Sequence, residues 1–156
     1  MDCYKQRIPG LTENDEIVIK DLTMIAELAC QLWPDNTVEE MCSEMGEILA
    51  EPDAAFFLAY AENVPIGFAQ CQLRHDYVEG TDSFPVGYLE GIYVTERYRH
   101  HGIAKRLLHA CEVWAKEQGC TEFASDCELD NMQSLQFHLN VGFEEANRII
   151  CFTKKL

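Results

Sequence analysis

Residues 97–106 concentrate side chains of the kind that bind phosphate groups. Four of the chain's twelve Lys and Arg residues lie there, namely Arg97, Arg99, Lys105 and Arg106. Basic side chains at a helix N-terminus oppose the helix dipole, so their concentration needs another reason, and a bound polyanion supplies one. The unpaired backbone N–H groups of a glycine-bearing turn that enters a helix add a second attraction for anions. An ordinary strand-to-helix connection is the alternative.

The segments on either side of this turn must position it. The segment LEGIYV, which ends at Val94, has the apolar and β-branched residues of a strand, and Gly91 within it is typical of a bulge or a close backbone approach. After the turn, apolar residues recur at helical spacing at Ile103, Leu107, Cys111 and Trp114. The sequence therefore predicts a strand, an anion-binding turn and a helix that closes at Gly119.

The rest of the chain alternates between strands and helices. Residues 1–15 are expected to form an N-terminal arm and residues 16–156 a single domain. Helices are predicted after caps at Asp21, Thr37 and Asp130 or Asn131, and further strands at residues 16–20, 54–61, 66–73, 121–127 and 144–154. This order predicts an α/β fold with a mixed sheet. The polar loop at 74–85, with Tyr77 and Phe84 exposed in it, has the composition of a binding loop.

Negative charge dominates the chain, whose formal net charge is −15. Residues 21–73 contain ten acidic residues and no Lys or Arg, and residues 107–147 contain eight acidic residues and only Lys116. Nucleic acid is thereby disfavoured as a partner, because phosphate contacts need Lys and Arg. The negative field either attracts a polycation or merely keeps the protein soluble.

Cysteine spacing and hydropathy bound the compartment. Eight cysteines occur without a CxxC pair, which favours small buried side chains over a disulfide framework or a metal site. No segment is apolar over the length of a membrane span, and the N-terminus lacks a signal-peptide core. We therefore expect a cytoplasmic protein with no membrane partner and no bound metal.

Two motifs resemble those of the GNAT (GCN5-related) N-acetyltransferases. Residues 99–104, RHHGIA, match the Arg/Gln-x-x-Gly-x-Gly/Ala loop with which that family binds the pyrophosphate of acetyl-CoA. Residues 131–143, NMQSLQFHLNVGF, match a second motif, whose Gly-Phe pair turns the chain into the last strand. The element order agrees over nearly all of the chain after residue 15. The resemblance implies the GNAT fold, a central mixed twisted sheet flanked by helices, with a splayed strand pair at the acetyl-CoA site.

The resemblance also implies which residues bind acetyl-CoA. The backbone N–H groups of Ile92, Tyr93 and Val94 would bind the pantetheine arm and the thioester oxygen where the strand splays. The side chain of Asn131 would bond the pantetheine or nearby backbone. The pyrophosphate would lie on the loop formed by Arg99, His100, His101, Gly102, Ile103, Ala104 and Lys105.

Acetyl transfer to an amine needs a group that takes the amine proton. Glu90, beside the splay, is the first candidate and Asp126 the second. The alternative for each is a carboxylate paired with a structural Arg. The family commonly has Tyr after the Phe of the second motif, as the acid that protonates the departing thiolate. His138 stands there in this chain, and it is either that acid or a structural residue.

Three further details resemble the aminoglycoside 6'-N-acetyltransferases within the family. They are QLWP at 31–34, RHDYVEG at 74–80, and LEGI at 89–92 followed by ASD at 124–126. The resemblance implies an enzyme that moves acetyl from acetyl-CoA to the 6'-amino group of a polycationic aminoglycoside and so confers antibiotic resistance. It also implies a homodimer.

This subfamily resemblance implies an acceptor site as well. Trp33 and Tyr77 would flank the sugar rings, because aromatic faces suit sugar surfaces and cations. Glu90 and Asp126 would pair with ammonium groups. Similar enzymes often have a further acid in the last strand, and Asn147 occupies that region here.

Two other functions fit the same residues. The chain would also suit an acetyltransferase of polyamines or basic peptides, since the acidic surface serves those acceptors equally well. The absence of the Tyr also permits a non-catalytic module that binds coenzyme A as a sensor.

Overall fold

The architecture is that of a computed structural model, which describes residues 22–61 and 64–156. Helices and strands follow one another in this part of the chain as α1 (Leu22–Leu32), α2 (Val38–Ala50), β1 (Ala54–Ala61), β2 (Val64–Arg74), β3 (Val86–Val94), α3 (Ile103–Glu117), β4 (Phe123–Ser125) and α4 (Met132–Asn140). The predicted arm, the strand at 16–20 and the cap at Asp21 lie outside the described residues. The division into an arm and one domain stays a prediction.

The four strands form one mixed sheet in the order β1-β2-β3-β4. Strand β2 pairs antiparallel with both β1 and β3, whereas β3 and β4 run parallel. The parallel pairing covers only three residue pairs, from Gly87 with Phe123 to Leu89 with Ser125. The mixed sheet between helices confirms the predicted α/β fold class.

Helices cover both faces of the sheet. Successive side chains of a strand point to opposite sides, so a single strand packs against both layers of helices. Phe56 and Leu58 of β1 pack in the cluster of α1 and α2, whereas Phe57 and Ala59 pack in the cluster of α3. The predicted apolar stripe of α3 is buried at all four positions, Ile103, Leu107, Cys111 and Trp114. Each large apolar side chain buried in this way stabilises the fold by about 1.5–3 kcal/mol.

Helix α2 begins with the capping box that the sequence predicts. The Thr37 hydroxyl accepts a hydrogen bond from the Glu40 N–H at 3.2 Å, and the Glu40 carboxylate accepts one from the Thr37 N–H at 2.8 Å. The backbone bond from Thr37 lowers the pKa of Glu40. A cap of this kind contributes about 1 kcal/mol and fixes the start of a helix that walls the cavity described below.

The strand predicted at 144–154 is wrong for the single chain. Residues 144–156 belong to no helix or strand, and they are exposed throughout. Ile150 is 80% exposed and Phe152 is 89% exposed. A strand needs a hydrogen-bonded neighbour, and within the described ranges no strand pairs with this segment. Its β-branched and aromatic residues supply strand propensity without a partner.

The cysteines described by the structure are free thiols. Cys71, Cys111 and Cys120 are buried, as expected for small hydrophobic side chains, and burial raises the pKa of the Cys111 thiol. In the described ranges, no cluster of His, Cys, Asp or Glu side chains has the arrangement of a metal site. No helix of residues 22–61 and 64–156 is both long and apolar enough to cross a membrane.

Candidate active site

Strand β3 leaves one edge open over its second half. Strand β4 pairs with β3 only as far as Leu89, and no described strand continues the pairing along residues 90–94 on that side. On the other side, Gln70 and Cys71 of β2 pair with Gly91 and Leu89, so Glu90 is the extra residue of a bulge. The irregularity predicted at Gly91 therefore begins one residue earlier. Backbone groups of residues 92–94 that face away from β2 lack a strand partner there.

The basic turn after β3 has the shape of an anion cradle. A short 3-10 helix, Glu96–Tyr98, leads into it, and Gly102 caps α3 with a φ of 78°. His100 also has a positive φ, at 64°. A Cβ added to Gly102 would meet no atom within 4 Å, so the space beside the turn is open. The left-handed backbone favours glycine, and the open space leaves room for a ligand.

The predicted loop residues surround this turn, but one of them, Arg99, already bonds to the protein backbone. Its Nε donates to the carbonyl oxygen of Val94 at 2.8 Å, and its guanidinium lies 5.5 Å from the centre of the Tyr93 ring. Arg99 therefore ties the turn to the end of β3 with one of its five N–H donors. The remaining predicted loop residues comprise the exposed His100, His101 and Lys105, the half-buried Ala104 and the buried Ile103.

A cavity of about 330 Å³ opens between the α1–α2 pair and the sheet. It brings together two of the predicted acceptor residues, Trp33 and Glu90. The other lining residues were not predicted, and they are Asn36, Met41, Glu44, Met45, Ile48 and Gln70. Gln70 had a detectable sign in the sequence, since it is a polar residue within an otherwise buried strand. Glu44 gave none, because it reads as one of several acidic residues on the outer side of α2.

Glu90 and Asp126 are joined through two other side chains. Arg74 donates to both oxygens of Glu90 at 2.9 Å, so Glu90 is paired with an Arg, and its role as proton acceptor stays a prediction. The Arg74 guanidinium lies 3.5 Å above the centre of the Tyr88 ring. The Tyr88 hydroxyl in turn donates to Asp126 Oδ2. Asp126 itself is exposed and does not line the cavity.

Trp33, which lines the cavity, packs directly against Gly91 of β3. A Cβ on Gly91 would lie 2.6 Å and 2.7 Å from two carbons of the Trp33 ring, so only glycine allows this contact. Tyr77 is 78% exposed on the loop between β2 and β3, and its hydroxyl donates to Glu79 at 3.1 Å. The structure thus places Trp33 in the cavity and Tyr77 on the surface.

Two predicted site residues, Asn131 and Asn147, do not line the cavity. The side chain of Asn131 caps α4 by accepting from the Ser134 N–H at 3.0 Å, which agrees with the backbone role that the resemblance allows. Asn147 lies in the exposed C-terminal segment and does not line the cavity. Ala146 packs against Gly80, which places this part of the segment next to the loop that carries Tyr77.

His138 has protein partners at both ring nitrogens. Its Nδ1 lies 2.7 Å from the carbonyl oxygen of Ser134, so Nδ1 must carry a proton that it donates there. Its Nε2 lies 2.8 Å from the Ser125 hydroxyl, which is at the last pairing of β3 with β4. His138 therefore reaches the point where the two strands separate. Sequence reasoning missed Ser125, whose role depends on a contact across thirteen residues.

Comparisons with known proteins agree with the geometry. The family model described as the acetyltransferase (GNAT) family matches residues 22–143. An aminoglycoside N(6')-acetyltransferase type 1 from Acinetobacter haemolyticus is 43% identical over 130 residues, which are 83% of this chain and 89% of that protein. A protein of the same name from Stenotrophomonas maltophilia is 40% identical over 137 residues, with coverages of 87% and 88%.

Solved structures share both fold and sequence with this chain. AAC(6')-Iy, solved in complex with the bisubstrate analogue CoA-S-monomethyl-acetylneamine, has a TM-score of 0.84 at 40% identity, over 88% of this chain and 94% of that one. The apo structure of AAC(6')-IG from Acinetobacter haemolyticus has a TM-score of 0.85 at 40% identity, with coverages of 90% and 96%.

Proposed function

The chain belongs to the acetyltransferase (GNAT) family, and we propose that it moves acetyl from acetyl-CoA to the 6'-amino group of an aminoglycoside. The observation that carries the proposal is the agreement of relatives that bear this activity in their names, at 40–43% identity over most of both chains. An acidic and aromatic cavity beside the open edge of β3 suits such a polycation. The biological consequence of the reaction is resistance to the antibiotic.

The reaction forms an N–C bond and breaks the C–S bond of the thioester. The open edge of β3 supplies backbone N–H groups of Ile92 and Val94 for the pantetheine arm and for the oxygen that gains negative charge, whereas the Tyr93 N–H lies on the side of β3 that pairs with β2. The turn at 99–105 and the N-terminus of α3 hold the pyrophosphate, since unpaired N–H groups and basic side chains converge there. Asn131, which caps α4, is proposed to bond the pantetheine arm or the backbone next to it.

Two proton transfers complete the balance. The amine arrives as an ammonium ion and must lose a proton, which Glu90 takes directly or through a bound water. Asp126 binds a second ammonium group of the same acceptor, and Trp33 and Tyr77 contact its rings. The departing thiolate gains a proton from Nε2 of His138 in its doubly protonated form, since Nδ1 keeps the proton that it donates to Ser134, and Nε2 lies 2.8 Å from the Ser125 hydroxyl at the point where the strands separate.

We expect acetyl-CoA turnover with a 6'-amino aminoglycoside of the kanamycin type, and none with an analogue that has a hydroxyl group at that position. The hydroxyl analogue keeps the other ammonium groups, so its failure would identify the reacting atom. Thiol release measured by a chromogenic reagent, with mass spectrometry of the product, checks both. Turnover with spermidine or a basic peptide but not with the drug would contradict the proposal.

An enzyme that consumes acetyl-CoA is expected in the cytoplasmic fraction of the cell, where this thioester is made.

We also propose that the protein is a homodimer joined through its C-terminal segment. Residues 144–156 are exposed, and the apolar side chains of Ile149, Ile150 and Phe152 among them lie mostly in solvent. The described sheet ends at the three-residue strand β4, whose outer edge leaves backbone donors and acceptors unpaired. An extended segment from a second copy can add to such an edge and cover its own apolar side chains. Asn147 would then reach the site of the partner.

Light scattering of the full chain should give about twice the monomer mass of 17.8 kDa. Phe152→Asp places a charge on the apolar surface and should give the monomer mass, because a buried carboxylate without a partner is costly. Lys154→Gln, a change in the same segment that adds no negative charge, is the control and should leave the dimer intact. A full chain that scatters as a monomer at micromolar concentration would exclude this arrangement.

A further inference from the structure

Four side chains from three parts of the sheet form one continuous chain of contacts. Arg74 is the last residue of β2, Tyr88 and Glu90 are two residues apart on β3, and Asp126 directly follows β4. The contacts run from Glu90 to Arg74, from Arg74 to the face of Tyr88, and from the Tyr88 hydroxyl to Asp126. The two carboxylates that the proposed reaction needs are therefore mechanically linked.

The bonds of Arg74 distinguish the two oxygens of Glu90. Oε1 accepts from Nε at 3.1 Å and from Nη2 at 2.9 Å, whereas Oε2 accepts only from Nη2, at 2.9 Å. A carboxylate has about four acceptor positions, two on each oxygen. Arg74 therefore fills both positions on Oε1 and leaves one on Oε2. The orientation of Glu90 is fixed by the planar guanidinium, which binds carboxylates in a set geometry.

Tyr88 does the same for Asp126. Its ring is 6% exposed beneath Arg74, and its hydroxyl reaches Asp126 Oδ2. Burial, and secondly the bond to Asp126, raise the pKa of Tyr88 well above its usual value. The phenol thus stays protonated at any working pH and remains a donor. Asp126 Oδ1 accepts no protein hydrogen bond within the described part of the chain.

We propose that Arg74 and Tyr88 are positioning residues that present one oxygen of each carboxylate, Glu90 Oε2 and Asp126 Oδ1, to two ammonium groups of a single acceptor. The inference rests on the proposed aminoglycoside reaction. The amines of an aminoglycoside are held at fixed spacing by sugar rings, so the carboxylates that bind them must also keep a fixed spacing. The hydrogen-bond network between the two carboxylates provides this fixed spacing, although the positive charge of Arg74 opposes the binding of an ammonium group.

Stability alone is a weak explanation for this network. The Arg74 side chain is 37% exposed and that of Glu90 is 20% exposed. Ion pairs with this much solvent contact contribute little to folding. One end of the network, Glu90, lines the cavity together with Trp33 and Gln70. Its location and its restriction of free oxygens both fit a role in aligning the acceptor.

Tyr88→Phe tests the proposal because it keeps the ring beneath Arg74 and deletes only the hydroxyl. We expect the Michaelis constant for the aminoglycoside to rise about tenfold, with the constant for acetyl-CoA unchanged, and calorimetry should show the same loss of acceptor affinity. Tyr60→Phe removes a hydroxyl at the opposite end of the sheet, where Tyr60 of β1 pairs with Pro65. This control should change both constants by less than about twofold.

A double substitution separates positioning from a general loss of structure. If Tyr88 acts through Asp126, Tyr88→Phe combined with Asp126→Asn should match Asp126→Asn alone within about twofold. Arg74→Lys keeps the charge but cannot make the paired bonds, and it should lower kcat about tenfold by releasing Glu90. Wild-type constants in Tyr88→Phe, or fully multiplicative effects in the double variant, would overturn the proposal while leaving the proposed function intact. A wild-type protein that neither binds nor acetylates an aminoglycoside would overturn both.

Discussion

Gly102→Val is expected to weaken acetyl-CoA binding by at least about a hundredfold. Gly102 adopts a left-handed backbone with a φ of 78°, which a β-branched residue avoids. A Cβ there would also enter the open space beside the turn, where the pyrophosphate is proposed to bind. The backbone strain of about 1–3 kcal/mol lowers the stability of the fold, whereas the blocked space and the loss of the aligned N–H groups lower the affinity for acetyl-CoA. Calorimetric titration with acetyl-CoA measures it directly.

Gly119 offers a closely matched control for this experiment. It follows the other end of α3, has a φ of 90° and, like Gly102, leaves any added Cβ with no atom within 4 Å. Gly119→Val should therefore cost similar strain and a similar loss in thermal stability, but leave acetyl-CoA affinity unchanged. Equal loss of affinity in both variants would mean that strain, not the turn at Gly102, governs binding. Unchanged affinity in Gly102→Val would exclude this turn as the pyrophosphate site.

Glu90→Gln and His138→Ala should each lower kcat by roughly a hundredfold, the usual scale for a positioned proton acceptor or donor. The amide of Gln cannot take the amine proton, and Ala cannot supply a proton to the thiolate. The Michaelis constant for acetyl-CoA should stay unchanged in both variants, since neither side chain is proposed to bind acetyl-CoA. Steady-state kinetics with saturating acetyl-CoA measures both effects.

The control for charge is Glu47→Gln, which removes one negative charge from the exposed side of α2. It should change kcat by less than about twofold. A loss below about threefold in His138→Ala would make His138 structural, held by Ser125 and Ser134. A fully active Glu90→Gln would move the proton acceptor elsewhere, with Glu44 at the cavity the next carboxylate to test.

Local patterns carried the parts of the fold that depend on neighbours in sequence. The Thr37 cap, the buried stripe of α3 and the glycine turn at 102 each follow from a few adjacent residues, and the structure has all three. The segment at 144–156 shows the limit of such patterns. Its strand propensity is genuine, but a strand also needs an edge to pair with, and no single-chain pattern reports where that edge lies.

The candidate site also has a part that the sequence predicts and a part that it does not. Glu90 and Trp33 were predicted to serve one acceptor, and they do line one cavity. The link from Arg74 through Tyr88 to Asp126 was not predicted, because it joins residues 38 positions apart through contacts that only the sheet creates. Arg74 lies in a segment that was predicted as a loop and Tyr88 directly before the strand predicted from Leu89, and neither residue type signals its partner.

The contact between Trp33 and Gly91 bears on how the proposed acceptor cavity can change by mutation. The proposed thioester-binding edge and one wall of the cavity meet at a residue that tolerates no side chain, so substitution there disturbs both at once. The cavity is also lined by Met41, Met45 and Ile48 of α2. Substitutions in α2 therefore reshape the proposed acceptor site while Gly91 and the edge of β3 stay unchanged.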